Sequence, residues 1–546
     1  MDSLHYLFSP LRIKGMELSN RAVMPPMGTN LGNPDGTVSD ANVAYLARRA
    51  KGRPGLLITE IVGVHPSGLA INTQLCAFED RFIPGLAKLA QAAHAEGCKV
   101  AMQIHHAGRE SFFMLAEGKA IAPSAVPSLI YRMPPREMTH DDIAEITNAF
   151  GSAARRAREA GFDAVEVHGA HGYLLTQFLS ARSNRREDEY GGSLENRARF
   201  IIDILSEVRR QVGEDFPISL RLSVEEFIEG GYTVSDIAPV FPAFVAAGAD
   251  IIHASFGTHG SPGGITTAPP EYEPGFAVPL ARRVKDAISV PVIAVGRFTD
   301  PELAGSVIKR KEADLVAFGR QFLADPDFLK KAGEGRRGNT RFCIACNQGC
   351  IERLMLGEGK IRCAINPETG QELLYPQERS VKPRRIWVIG AGPAGLTAAC
   401  EAARLGHNVT LFEKESLTGG LIRYGASAPH KHVYREWIEW LDGQVRKAGV
   451  EVKTGTRVTP EMIVSERPDH VIIAQGSEPV IPPIPGIDAS HVCTALDIFE
   501  GAVTPGTSVV IIGAGFVGME AADFLTGKAK TITLVEVMLI FLVIYV

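Results

Sequence analysis

From residue 22 to residue 320, short apolar runs alternate with stretches whose apolar residues recur every three or four positions. These are the two periods that mark strands and amphipathic helices. Eight runs read as strands: AVMPPM, GLLITE, KVAMQIH, DAVEVH, ISLRLS, ADIIHAS, PVIAVG and ADLVAFG. Segments such as DDIAEITNAFGSAARRAREAG (141–161) and DPELAGSVIKRKEAD (300–314) between them read as helices. Strand-then-helix repeats of this number over about 300 residues predict an α/β fold, a closed (β/α)8 barrel, rather than an open doubly wound sheet.

In such a barrel chemistry sits at the C-terminal strand ends. Polar residues fall there: Gln103 and His105, His168, Arg221, His253 and Ser255, then the pairs Gly296-Arg297 and Gly319-Arg320. The two Gly-Arg pairs follow the seventh and eighth strands, the usual phosphate position in this fold. The fourth strand runs into EVHGAHGYLLTQFLS (166–180), which places His168, His171 and Tyr173 on one turn. A metal pair at His168 and His171 would want a third ligand, and the loop offers no obvious one.

Beyond Pro326 the pattern loosens into CIACNQGCIERLMLGEGKIRC, with Cys343, Cys346, Cys350 and Cys363 in C-x2-C-x3-C-x12-C spacing. Four thiolates so clustered bind zinc or an iron–sulfur cluster, and spacing does not separate the two. A Pro-containing linker (366–383) leads to RRIWVIGAGPAGLTAACEAARLGHNVTLFEK, a strand, glycine turn, helix and strand. Gly390, Gly392 and Gly395 form G-x-G-x-x-G, and Glu413 closes the second strand about 20 residues on, where an acid reaches a dinucleotide's ribose. The unit recurs at TSVVIIGAGFVGMEAADFLTGKAKTITLVE with Gly513, Gly515, Gly518 and Glu536. Two such units suggest one dinucleotide held and a second delivering hydride to it.

Length and charge narrow the class. A chain of 546 residues predicts three or four domains. The net charge of −5, without a basic block, gives no footprint for nucleic acid or an anionic membrane, so small molecules are the expected partners. The start lacks a secretory pattern and the eight cysteines are not a disulfide scaffold, so a cytoplasmic protein is expected. The closing run VMLIFLVIYV (537–546) is too short to span a bilayer, which takes about 20 apolar residues. It reads as a premature end or a foreign frame and as an aggregation hazard.

Taken together, these residues resemble the Old Yellow Enzyme family in its long branch, which includes 2,4-dienoyl-CoA reductase, 2-enoate reductase and trimethylamine dehydrogenase. The match runs from LFSPLRIKGMELSNRAVMPPM through QIHHAGR (103–109) and SNRREDEYGGSLENR (183–197) to the cysteines and both glycine loops. The resemblance implies FMN in a barrel over 1–335, a [4Fe–4S] cluster on the four cysteines over 336–380, an incomplete FAD domain over 381–505, and the start of an NAD(P)H domain over 506–546. FMN would meet the backbone near Pro25–Gly28, the Gln103 amide and Arg221 at its pyrimidine end, with its phosphate on Gly296, Arg297, Gly319 and Arg320. Gly28 stands where relatives often carry Thr or Cys. His168 and His171 match the donor pair for a substrate carbonyl, Tyr173 the acid that protonates the α-carbon, and His259 a second acid. The implied activity is NAD(P)H-dependent reduction of an activated alkene, and a homo-oligomer is compatible with it. The alternatives are an oxidative amine demethylase and a flavin-binding chain without turnover.

Overall fold

The structure, a computed structural model, describes residues 3–355, 359–375 and 378–537. Its contacts fall into two units, Met1–Tyr375 and Pro376–Ile544, each taken by itself below. In the first, eight strands form a parallel ring: β1 (Ala22–Met24), β2 (Leu56–Gly63), β3 (Lys99–His105), β4 (Ala164–Gly169), β5 (Ile218–Ser223), β6 (Ile251–Ser255), β7 (Val292–Ala294) and β8 (Leu315–Ala317). β8 pairs back onto β1 and β1 onto β2, so the ring is closed and has no free edge. The eight strands expected from the apolar runs are these eight.

Nearly every strand residue is buried, because helices cover the outside and side chains fill the inside. The helix His140–Glu159 (α1) shows the sequence logic. Thr139 caps it in a reciprocal box with Asp142, worth about 1 kcal/mol. Ile143, Ile146, Phe150, Ala153, Ala154 and Ala157 form its buried stripe. Leu194–Val212 (α2) is capped by Ser193 and stops at Gly213, whose φ of 75° suits a residue without Cβ. A hairpin, Leu11–Ile13 with Met16–Leu18, plugs the N-terminal end of the barrel. Its Ile13, Met16 and Leu18 pack on Val23, Leu56, Ile58, Ala101, Ala164, Ile251 and Leu315. The floor is therefore apolar, and the polar interior begins one layer above it.

The 366–383 stretch is not a free linker along its first half. Asn366 and Thr369 donate to the Leu323 carbonyl at 2.8 and 2.7 Å. Arg48 pairs with Glu368 at 2.7 Å, and fully buried Arg49 pairs with Glu372 while lying 3.8 Å over the Tyr45 ring. Polar and Pro-containing sequence imitates a linker when its charge partners lie more than 300 residues away in the chain, as these do.

In the second unit a parallel sheet runs in the order Glu451–Lys453, Asn408–Phe412, Arg385–Ile389, His470–Ile473. A separate parallel pair joins Ser508–Ile512 to Thr531–Val535. Val388 and Leu411 are fully buried in the larger sheet, while the smaller pair alternates exposed and half-buried positions. Of the apolar run 537–546 only Val537 falls within the described residues, so the expectation made for that run lies outside them. Among the described residues no helix is long and apolar enough to cross a membrane.

Candidate active site

Alternation along the strands sends every second side chain into the barrel. Just above the apolar floor, β3, β4, β5 and β6 contribute Gln103, Glu166, Ser219 and His253. Register places Gln103 opposite Glu166 and Glu166 opposite Ser219. Glu166 has no exposed surface, and its oxygens accept from Gln103 Nε2 at 2.8 Å, His253 Nδ1 at 2.9 Å and Ser219 Oγ at 3.0 Å. Burial pushes its carboxyl up, but the His253 contact and the Arg221 charge outweigh that and leave it below the usual range. A buried carboxylate is thus ionised inside the barrel.

One step further out stand His105, His168, Arg221 and Ser255, with His171 and Tyr173 on the loop after β4 and His259 on the loop after β6. His171 has φ of 62° and Gly172 of 86°, a left-handed turn between His168 and Tyr173. Ser223 holds that turn by accepting from the His171 backbone N–H at 2.8 Å, and the His171 Nε2 lies 2.8 Å from Ser255 Oγ. The Tyr173 ring meets those of His105, His259 and His168 edge-on, with centroids 4.3, 4.8 and 5.2 Å apart. His168 and His171 are 5.2 Å apart.

Burial first, and neighbouring imidazoles and Arg221 after it, holds His168 and His171 well below the ordinary imidazole range; burial and neighbouring imidazoles do the same at His105. Burial alone lowers His259 to about 4. The same burial raises Tyr173 well above a free phenol. At neutral pH the cluster is therefore uncharged imidazoles around a phenol that keeps its proton. Several atoms here are buried without a partner: Gln103 Oε1, His105 Nε2, His168 Nδ1, Arg221 Nε, His253 Nε2 and His259 Nδ1. Buried polar atoms are normally satisfied, so the mouth is built to receive a polar group.

The remaining sequence-selected residues of the first unit lie at the strand ends and in the segments that follow them. Gly296 has φ of 142°, and a Cβ on Gly319 would sit 3.3 Å from Met27 Sδ and 3.4 Å from Pro25 Cγ, so the chain is close-packed between Pro25 and Gly319. Gly28 has only Leu354 near its missing Cβ, at 3.8 Å. Both arginine side chains carry hydrogen bonds to neighbouring loops. Arg297 donates to the Pro270 and Tyr272 carbonyls, and Arg320 to Thr267 O, Ala268 O and Asn347 Oδ1.

Of the four cysteines, Cys350 and Cys363 are pushed up to about 12 by burial foremost, and Cys346 is raised by the same cause. Gly349 lets their loops meet, since a Cβ there would lie 2.9 Å from Cys363 Cα. Among the described residues the ligand atoms that converge to within 4.8 Å of one another are those of exposed His140 and Glu189 with Asp188, and Arg186 already grips Asp188.

In the second unit both glycine loops have the same local geometry. Gly390 and Gly513 take φ of 103° and 99°. A Cβ on Gly395 or Gly518 would strike the carbonyl of Gly390 or Gly513, whereas around Gly515 the space is open. Glu413 accepts from Ala391 N and Glu536 from Ala514 N, both at 2.8 Å, so each acid ties its strand to its loop. Gly392 starts the helix Pro393–Arg404 and Gly515 the helix Phe516–Leu525.

Sequence reading missed Glu166, Ser219 and Ser223. The signal existed as polar residues two apart on one strand face, Glu166 with His168 and Ser219 with Arg221 and Ser223, inside otherwise apolar runs.

Comparison with known proteins places this geometry. Residues 6–339 match the NADH:flavin oxidoreductase / NADH oxidase family and residues 384–545 the pyridine nucleotide-disulphide oxidoreductase family. The NADH oxidase of Thermoanaerobacter brockii is 42% identical over 97% of this chain and 83% of its own. The cinnamate reductase of Clostridium sporogenes is 34% identical over 98% and 83%. A solved complex of 2-naphthoyl-CoA reductase with 2-naphthoyl-CoA is 34% identical, with a TM-score of 0.91 over 97% of this chain and 83% of that one.

Proposed function

Because the chain belongs to the NADH:flavin oxidoreductase / NADH oxidase family, a family of oxidoreductases, we propose that it reduces a C=C bond conjugated to a carbonyl, with electrons from NAD(P)H. The observation that carries this reading is the neutral His168–His171 pair beside a protonated Tyr173, above a floor of unpartnered acceptors and donors. Gln103 Oε1, His253 Nε2 and the Arg221 guanidinium suit the mixed carbonyl and N–H edge of an isoalloxazine, and Arg221 gives a fixed cation where reduced flavin carries negative charge. FMN here would supply hydride, with FAD and NAD(P)H on the two glycine loops and a [4Fe–4S] cluster on Cys343, Cys346, Cys350 and Cys363 as a one-electron link.

The protein's own groups do the rest. His168 and His171 point N–H donors at the place where a carbonyl oxygen gains charge, an arrangement worth several kcal/mol in a dry site. Neutral imidazoles serve there as well as cations would, without the cost of burying a second charge beside Arg221. Tyr173 holds a proton for the α-carbon, and its raised pKa makes the phenol inert until a strong base forms next to it. His259, packed on the Tyr173 ring, is placed to pass a proton on.

The test is anaerobic. Protein reduced by dithionite is mixed with cinnamate, an enoyl-CoA or dimethylglycine, and flavin absorbance is followed alongside iron content. The reading expects rapid reoxidation by an enoate or enoyl-CoA and about four irons per chain. Formaldehyde from the amine by the oxidised protein, with no reoxidation by any alkene, would overturn it.

A further inference from the structure

Below the residues that meet substrate lies a carboxylate with no place in that chemistry. Glu166 is fully buried at the centre of β4, one layer under His168, and three side chains from three other strands converge on it. An ionised carboxylate costs several kcal/mol to bury, and replacing it by an apolar residue would commonly be neutral or better for stability. Its hydrogen bonds have a second consequence. A carboxylate only accepts. Gln103 must therefore turn its NH2 inward to Glu166, which leaves Gln103 Oε1 facing the mouth, buried and unpartnered. His253 must carry its proton on Nδ1, which leaves Nε2 unpartnered as well.

We propose that Glu166 is a positioning residue for the flavin: it fixes the amide of Gln103 so that Oε1 is an acceptor for the one N–H of the ring's pyrimidine edge, and fixes the tautomer of His253 so that no second donor competes for that acceptor, while its charge is balanced by Arg221 above it. Without Glu166 the amide of Gln103 is free to rotate and either imidazole nitrogen of His253 to hold the proton, so three of the four resulting arrangements would put a donor where Glu166 leaves an acceptor. The lowered pKa of His253, held down foremost by burial, agrees with a neutral ring in one tautomer. Ser219 completes the shell with the third bond at 3.0 Å. The other charged and titratable groups facing this layer are Arg221 and His253 themselves.

This proposal rests on the reading that a flavin occupies the barrel mouth, and the experiment separates the two. Apoprotein stripped of flavin is titrated with FMN by fluorescence quenching, and the midpoint potential of the reconstituted flavin is measured by dye equilibration. Glu166→Gln keeps the shape but adds a donor and removes the charge. FMN affinity is expected to fall 10- to 100-fold. The reduced-to-oxidised ratio at fixed poise is expected to rise at least tenfold, about 30 mV for a two-electron couple, because a negative charge near reduced flavin is gone. Ser219→Ala, which leaves the carboxylate and its other two partners in place, should weaken FMN by a smaller factor, and it decides the matter if Glu166→Gln does not fold. Gln103→Met should lower affinity alone and add little to Glu166→Gln, since both act through one amide. Wild-type apoprotein that fails to bind FMN would end the flavin reading. Wild-type binding with unchanged affinity and potential in the variants would end only the role given to Glu166.

Discussion

In the inner layer of the barrel Glu166 has three partners within 3.0 Å, whereas one layer out His168 Nδ1, His105 Nε2 and His259 Nδ1 have none. His105 and His168 alternate with the inner residues along the same strands, while His259 stands on the loop after β6, and all are buried. The difference lies at the centre of each layer: the Glu166 carboxylate is fully partnered and leaves open only Gln103 Oε1 and His253 Nε2 around it, whereas the outer imidazoles share no such centre. A satisfied network is rigid and specifies one arrangement, while an unsatisfied one waits for a ligand to complete it. The inner layer is accordingly suited to hold and orient a cofactor, and the outer layer to act on what lies over it.

That division can be broken experimentally, and the largest effect belongs to the outer layer. Tyr173→Phe removes the proton and leaves the ring packed between His105 and His259. Reoxidation of reduced flavin by an alkene should slow by roughly 10²–10⁴, with FMN affinity unchanged in titration. His171→Ala comes next. It removes a donor held by Ser255 at 2.8 Å, and the same rate should fall by roughly 10²–10³, the usual loss of one oxyanion donor. A loss of FMN affinity in either variant would blur the line between the layers.

The smallest effect expected is that of pH. His105, His168 and His171 are held well below the imidazole range and His259 near 4, so all four are neutral above about pH 5, while Tyr173 stays protonated to beyond pH 10. The sign follows: each histidine would charge only as pH falls through its depressed pKa, and Tyr173 would ionise only as pH rises through its elevated one. The single-turnover rate should therefore vary by less than about threefold between pH 6 and 9. A sigmoid centred near 6.5 would mean that an imidazole there is not held neutral.

How much of this was legible without the structure depended on the range of the forces involved. The strands, and with them His168, Arg221 and the Gly-Arg pairs at their ends, follow from local periodicity, and the barrel follows from counting them. The paired glycine loops were readable because Gly390 and Gly513 need a positive φ and Gly395 and Gly518 a close carbonyl, both local demands. The partners of Glu166 were not legible, since nothing in DAVEVH reveals that Gln103 and His253 will arrive beside it from other strands. The guanidinium of Arg320 eluded sequence for the same reason, its partner Asn347 lying in the cysteine segment. So did the anchoring of 366–375, which depends on Arg48 and Arg49.

The central claim is that the outer layer delivers a proton from Tyr173 while the inner layer holds and orients the flavin without donating a proton. Its most direct test is the product made in a single turnover by reduced protein in D2O, examined by NMR for wild type and Tyr173→Phe. Wild type should place one deuterium at the α-carbon on a single face, and the variant should form product slowly with deuterium on both faces. Undiminished rate and unchanged facial selectivity in the variant would contradict the account.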